Sequence, residues 1–187
     1  MSAISKSPIF APNVTHEICI DMDGPTVDLD GYFERLFGTS LWNMTVEEKH
    51  RHWDEMFEPE WFLEAPMKHD FPVLIKFILD NFTHVRFLTA LPHRRKDKAW
   101  QSMVTKIAWI HRHVGHRIPV TFGPYAEDKQ KHCGGPTFVL IDDRKMNIEQ
   151  WGAAGGIAIY HTSALETIEA LAQYLKVIAE RQPFGRR

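Results

Sequence analysis

Four short stretches of this chain hold side chains that could act together chemically: Asp21-Met22-Asp23-Gly24-Pro25, Thr89-Ala90-Leu91-Pro92, Glu127-Asp128-Lys129 and Asp142-Asp143-Arg144. Asp21 and Asp142 could share a hard cation through oxygen. Mg²⁺ suits a few carboxylates together with a phosphate oxygen and waters. The cation would offset the repulsion between carboxylates and a phosphate dianion. An aspartate can then attack phosphorus and form an aspartyl-phosphate. Asp23, two residues on, lies on the same side of an extended chain. It is placed to protonate a leaving oxygen and later to activate water. Thr89 and Lys129 would hold phosphoryl oxygens and offset developing charge.

For these residues to meet, short strands must end beside them. The candidates are Glu17-Ile18-Cys19-Ile20, His84 to Leu88, Arg117 to Phe122, Phe138 to Ile141 and Ile157 to Tyr160. Each is β-branched or aromatic and bounded by turn residues. Helical patterns lie between them. One runs from Phe71 to Asn81 with Pro72 in its first turn, where proline is tolerated. A longer one runs from Lys96 to Val114 and meets Gly115, a C-cap residue. Ser163-Ala164-Leu165-Glu166 is a capping box that opens the last helix. This alternation predicts an α/β fold with a parallel sheet, whose ligands bind beyond the carboxyl ends of the strands. Tyr32 to Phe62 interrupts it with many aromatic residues and no strand, and reads as two or three short helices inserted after the first strand.

Composition limits the partners. The 187 residues are 44% hydrophobic and carry 24 acids against 22 bases, so the chain can bury a large core and has no strong net field. Capture of a long nucleic acid or of a membrane surface is disfavoured, while a small anionic ligand fits. Self-association as a homodimer stays open. No run reaches 18 apolar residues. The first residues show no apolar signal core, and two cysteines make no disulfide framework, so the expected compartment is cytoplasmic and reducing. The closely spaced His111, His113 and His116 read as surface histidines rather than a zinc site. His93, after the Thr89 loop, is a weak candidate for substrate contact.

Taken in order, these stretches resemble the four motifs of the haloacid dehalogenase (HAD) superfamily, and more narrowly its 5'(3')-deoxyribonucleotidase-like branch. Asp21 to Asp30 reads DMDGPTVDLD, close to that branch's DMDGVLADFD. Thr89-Ala90-Leu91-Pro92 is similar to its T-[SA]-x-P, and Lys106-Ile107-Ala108-Trp109-Ile110 to its K-x-A-W-V helix. The resemblance runs from about Glu17 to Leu175. It implies a Rossmann-like parallel sheet flanked by helices, over 16–31 and 82–180, with a small helical cap at 32–81 and flexible tails at 1–15 and 181–187. It implies Asp21 as nucleophile and Mg²⁺ ligand. Asp23 would be the acid/base, with its backbone carbonyl on the metal, and Asp142 would complete the metal site. Thr89 and the Ala90 amide would bind phosphate, Lys129 would pair with phosphate and Asp21, and Gly24 and Asp143 would lie beside the substrate. Trp61-Phe62 matches a Phe-Phe pair in the family's cap, so these rings are the first expected to touch substrate. Pro25 departs from the family's Val or Thr and removes a backbone N–H near the site. Lys129 and Lys131 both lie near the third motif; Lys129-Gln-Lys-His-Cys fits a K-x-x-[YH]-[AC] pattern and favours Lys129. Asp28 is either a helix N-terminal residue or a site carboxylate.

The expected activity is a Mg²⁺-dependent phosphomonoesterase acting on nucleoside monophosphates. One alternative keeps the catalytic residues and takes sugar phosphates or nucleic-acid 3'-phosphate ends. Another is a non-catalytic HAD-like binding module.

Overall fold

Five strands form one parallel sheet in the order β3-β2-β1-β4-β5: β1 (Glu17–Ile20), β2 (His84–Thr89), β3 (Val120–Phe122), β4 (Phe138–Asp142) and β5 (Ile157–Tyr160). The structure is a computed structural model describing residues 16–55, 61–92, 95–123 and 125–181. The expected tail at 1–15, residues 182–187 of the expected tail at 181–187, and His93 lie outside the described residues; Arg181, expected in the tail, closes the last helix instead. The central strands β1 and β4 are buried on both faces, so they read as nearly unbroken apolar runs. Ile18, Ile20, Phe87, Val139 and Ile141 point to one side, into the main core. Cys19, Leu88 and Leu140 point to the other, onto Trp151.

Helices α4 (Phe71–Asn81), α5 (Ala99–His113) and α7 (Ala164–Arg181) contribute buried side chains to the first of these cores. Helix α6 (Lys145–Ala153) and a 3₁₀ segment (Ala126–His132) cover the other face. Helix α4 buries Phe71, Leu74 and Ile78, the three- and four-residue spacing of one helical face. At its start Asp70 accepts a hydrogen bond from the backbone of Ala164 at 2.8 Å, which ties the openings of α4 and α7 together. Gly115, at φ +127°, ends α5 by donating to the Ile110 carbonyl at 3.0 Å. The Ser163 hydroxyl accepts from the Glu166 backbone, as the capping-box spacing implied.

The insert after β1 is helical, with α1 (Leu29–Phe37), α2 (Val46–Glu55) and α3 (Trp61–Glu64) preceding α4. A small core of Phe33 and Met44, with Tyr32, Phe37, Leu41 and Trp61 against it, belongs to this insert. The stretch 32–81 therefore divides: α4 packs on α7 beside the sheet, and the separate core stops at α3. The return from α3 is fastened to α5, where Trp109 Nε1 donates to the Ala65 carbonyl at 2.8 Å. Entry and exit of the insert are stitched by Asp28 N–H to the Pro66 carbonyl and Lys68 N–H to the Thr26 carbonyl, both at 2.8 Å. The result is a Rossmann-like parallel sheet with helices on both faces and a helical insert after its first strand.

Candidate active site

Strand order fixes where the chemistry gathers. The connections from β1 through β2 to β3 run over one face of the sheet and that from β4 to β5 over the other, so the order reverses between β1 and β4. A crevice at such a switch point is where open α/β sheets bind ligands. The register pairs Cys19 with Leu140 and Ile20 with Ile141. The next residues, Asp21 and Asp142, thus leave the two strands side by side. The Asp21 N–H donates to the Ile141 carbonyl at 2.9 Å.

The 3₁₀ segment supplies Lys129 to both carboxylates. Its Nζ lies 2.7 Å from Asp21 Oδ1 and 2.7 Å from Asp142 Oδ2. All three side chains are almost completely buried, with exposures of 2% for Lys129, 4% for Asp21 and 0% for Asp142. Lys131, the alternative, pairs instead with Asp128 on the surface. Asp21 Oδ1 also accepts from the Met22 N–H at 2.7 Å, so this oxygen is held while Oδ2 makes no hydrogen bond among the described residues. Asp142 Oδ2 accepts from Asn147 Nδ2 at 2.8 Å, and its Oδ1 from the Arg144 N–H at 2.9 Å.

Asp143 completes an acidic cluster. Oxygens of Asp21, Asp142 and Asp143 lie within 4.8 Å of one another, the only such group of metal-ligand side chains among the described residues. Gly24 makes the approach feasible: at φ +103° it lies so close that an added Cβ would stand 1.9 Å from Asp143 Oδ2. Three carboxylates share one ammonium here. Burial, with Asp142 alongside, pushes the Asp21 carboxyl well above the usual carboxylate range, against the pull of Lys129. Burial and Asp142 push Asp143 up to about 6. Burial also works against the Lys129 ammonium, but Asp21 and Asp142 outweigh it and raise its pKa. Both directions describe one situation: burial and the crowding of carboxylates work against their full ionisation, and Lys129 works for it. A divalent cation with oxygen preference would offset that crowding, so the donor set fits Mg²⁺.

A second cluster sits on the α5 side. Lys106, 5% exposed, reaches over from α5. Its Nζ donates to Asp23 Oδ2 at 2.6 Å and to Thr89 Oγ1 at 2.8 Å. The same ammonium lies 5.0 Å from the centre of the Phe62 ring, a cation–π contact that brings the insert to the site. Asp23 Oδ1 is buried and has no hydrogen-bond partner among the described residues. Because the Thr89 oxygen accepts from Lys106, its own proton is free to donate.

Of the expected site residues, Asp21, Lys129, Asp142, Asp143 and Gly24 meet in the first cluster, and Asp23, Thr89 and Phe62 in the second. Ala90 follows Thr89 at the strand edge, half-buried. Trp61 lies against Tyr32 with nearly parallel rings, 6.1 Å apart, within the insert. Asp28 caps α1 through the Gly31 N–H at 3.3 Å and pairs with Lys68 at 2.9 Å. Pro25 is buried in the turn after Gly24, which closes by Gly24 N–H to the Val27 carbonyl at 3.1 Å. Sequence reading gave no site role to Lys106 or Asn147. Lys106 did leave a signal: it shares a helical face with apolar Trp109 and Ile110, where a lysine needs a partner.

Together the clusters provide a carboxylate with one free oxygen, a second carboxylate two residues on, a hydroxyl donor and two buried ammonium groups. That set can bind a phosphate and exchange its ester oxygen. The sequence matches no protein-family model and no curated protein. Among solved structures, a hydrolase from Streptococcus pneumoniae TIGR4 is 15% identical, with 85% of this chain and 99% of that one covered at a TM-score of 0.48. An uncharacterized protein from Corynebacterium glutamicum ATCC 13032 Kitasato is 12% identical, with 87% and 96% covered at 0.45. Likenesses this loose have no bearing on the activity of this chain. No helix among the described residues is long and apolar enough to cross a membrane.

Proposed function

We propose that this chain is a Mg²⁺-dependent phosphomonoesterase of HAD type, working through an aspartyl-phosphate, with nucleoside monophosphates as substrates. The observation that carries the reading is the adjacency of Asp21 and Asp142 at the ends of neighbouring strands, bridged by the buried Lys129. The nucleotide preference rests on the sequence resemblance and on the aromatic insert, whose Phe62 reaches the Lys106 ammonium.

Asp21, Asp142 and Asp143 would hold Mg²⁺, with the Asp23 carbonyl beside them. When bound, the cation supplies positive charge that offsets the phosphate dianion. In the first half-reaction Asp21 Oδ2 bonds to phosphorus and the ester P–O bond breaks. The departing oxygen takes a proton from Asp23, the carboxyl with an unpartnered buried oxygen. In the second, Asp23 takes a proton from water, the water oxygen bonds to phosphorus and the Asp21–phosphorus linkage breaks, releasing inorganic phosphate. Thr89 and Lys106 bind the non-reacting oxygens. Lys129 holds Asp21 Oδ1 in place and pulls its carboxyl toward the charged form.

The test is phosphate release from a panel of nucleoside monophosphates and sugar phosphates, with Mg²⁺ and with EDTA. The expected result is Mg²⁺-dependent release confined to nucleotides and abolished by Asp21→Asn. Release confined to sugar phosphates would keep the catalytic residues and discard the nucleotide. Activity surviving in Asp21→Asn would sink the mechanism.

A further inference from the structure

Helix α5 does more than deliver Lys106. In a parallel βαβ unit the helix runs back antiparallel to its strand, so α5 begins on the side where β2 ends. Lys106 Nζ meets Thr89 Oγ1 at the tip of β2, which sets Lys106 at the level of the site. The residues before it therefore rise beyond the sheet edge and form a wall of the crevice, with α3 packed against the helix.

Along that wall Ser102 and Lys106 lie four residues apart on one face of α5, and Lys98, four residues before Ser102, is the residue that caps the helix start. Lys98 stands about 12 Å above Lys106 along the helix axis, and its four-carbon stem can bring the ammonium part of the way back. Two neighbouring cations among the described residues are engaged. Arg95 is paired with Asp97 at 2.9 Å, and Lys96 Nζ lies 6.0 Å over the Tyr125 ring. Tyr125 belongs to the loop after β3, so this contact leans the basic segment across the sheet edge toward the loop that delivers Lys129. Lys98 is half-buried; its backbone N–H donates to the Arg95 carbonyl at 2.9 Å, while its ammonium makes no ion pair or hydrogen bond among the described residues.

We propose that the Lys98–Ser102 face receives a second phosphate of the substrate, so the preferred substrate is a nucleotide with another phosphate one sugar away from the reacting one. This rests on the phosphomonoesterase reading above. Such a phosphate occurs in a free nucleoside 3',5'-bisphosphate and at the phosphorylated end of a short strand. In both, the reacting group sits against Lys106 and the second group lies outward along α5, where Lys98 and the Ser102 hydroxyl supply donors. The near-neutral net charge accords with a short anion rather than a long one.

The experiment compares kcat/KM for a nucleoside monophosphate, the matching 3',5'-bisphosphate and a dinucleotide with a terminal phosphate. The wild-type chain, Lys98→Ala, Lys98→Arg and Lys176→Ala on the exposed side of α7 are compared. The expected preference for a second phosphate is about tenfold, the size of one charge-assisted contact. It is lost in Lys98→Ala, largely kept in Lys98→Arg and unchanged in Lys176→Ala. Preference for both two-phosphate substrates supports the free and the strand-end source alike; preference for the dinucleotide alone selects the strand end. Equal rates on all three substrates, unaltered by Lys98→Ala, overturn this inference and leave the nucleotidase standing. No release from any of them fails the phosphatase reading itself. Affinity then decides for Lys98: equal Kd for monophosphate and bisphosphate, measured by calorimetry on Asp21→Asn, overturns the inference without turnover.

Discussion

Lys106 Nζ and Asp23 Oδ2 lie 2.6 Å apart, an ion pair between α5 and the turn after β1. With Lys129 bridging Asp21 and Asp142 from the opposite side of the sheet, the two carboxylates of the first motif each have an ammonium of their own. The alternation of the strands accounts for this. Thr89 continues the Phe87 side of β2, where α5 lies, and Asp142 continues the Leu140 side of β4, which the 3₁₀ segment covers.

Replacing Lys106 by Met removes a donor to Thr89 and the partner of Asp23 while keeping the stem that packs in the wall. The expected loss in kcat/KM is about a hundredfold or more, by comparison with deletion of other preorganised charge-stabilising donors. Lys106→Arg recovers little of it, because a planar guanidinium does not replace a compact ammonium between two oxygens. Steady-state kinetics on the best nucleotide checks this, and circular dichroism shows whether the variant folds.

Lys129→Met leaves Asp21 and Asp142 facing each other with no cation. Breaking a buried pair this way costs about 3 kcal/mol or more. Added Mg²⁺ should return part of that stability, since the cation takes over the neutralisation. Urea unfolding with Mg²⁺ and with EDTA measures both numbers. Full stability in EDTA would mean that the two acids stay neutral without the lysine.

The acidic cluster gives the metal-free protein a definite pH response. Asp143 is held at about 6 in the fold against 3.8 for the free group, and Asp21 is displaced in the same direction. Between about pH 4 and 6 the folded chain therefore binds more protons than the unfolded one, so stability falls as pH rises through that window. Thermal unfolding in EDTA should give a higher Tm at pH 5 than at pH 7.5, in the range where the rest of the fold is intact. Mg²⁺ should raise Tm more at pH 7.5 than at pH 5, because protons compete with the cation for the same oxygens. A Mg²⁺ effect independent of pH would contradict the cluster as its binding place.

Two glycines give opposite expectations. Gly24→Ala must fit a Cβ 1.9 Å from Asp143 Oδ2 at φ +103°, so it should cost about 2 kcal/mol or more and weaken the Mg²⁺-induced rise in Tm. Gly152, inside α6, has nothing within 4 Å of an added Cβ, and Gly152→Ala should stabilise by about 0.5–1 kcal/mol. Denaturant titration of the two variants side by side tests the pair.

The strands and the acids at their ends could be read from the sequence because a buried strand is a local apolar run and an aspartate at its tip is conspicuous. Helix α4 was legible from Pro72 and its periodic face, and α7 from the Ser163–Glu166 box. The division of the insert was not. Whether α4 packs on α7 or on α1–α3 depends on contacts between distant segments, which no local period records. The choice between Lys129 and Lys131 could be argued from pattern, but only the 3₁₀ turn decides which of the two points inward. Lys106 and Asn147 were missed as site residues for a related reason. Their partners, Asp23 with Thr89 and Asp142, lie across a helix–strand contact or a helix turn, and a long side chain on a helix face carries no mark of what it reaches.

The sequence by itself determined the α/β alternation, the order of the four motifs and the carboxylates at the strand ends, all set by short-range pattern. Only the tertiary structure decided that Asp21 stands beside Asp142, that Asp143 joins them over a side-chain-free Gly24, and that two lysines enter from opposite faces. The reason is physical. Strand order and crossover side follow from how the whole chain buries its apolar surface, and the electrostatics of the site follows from that packing.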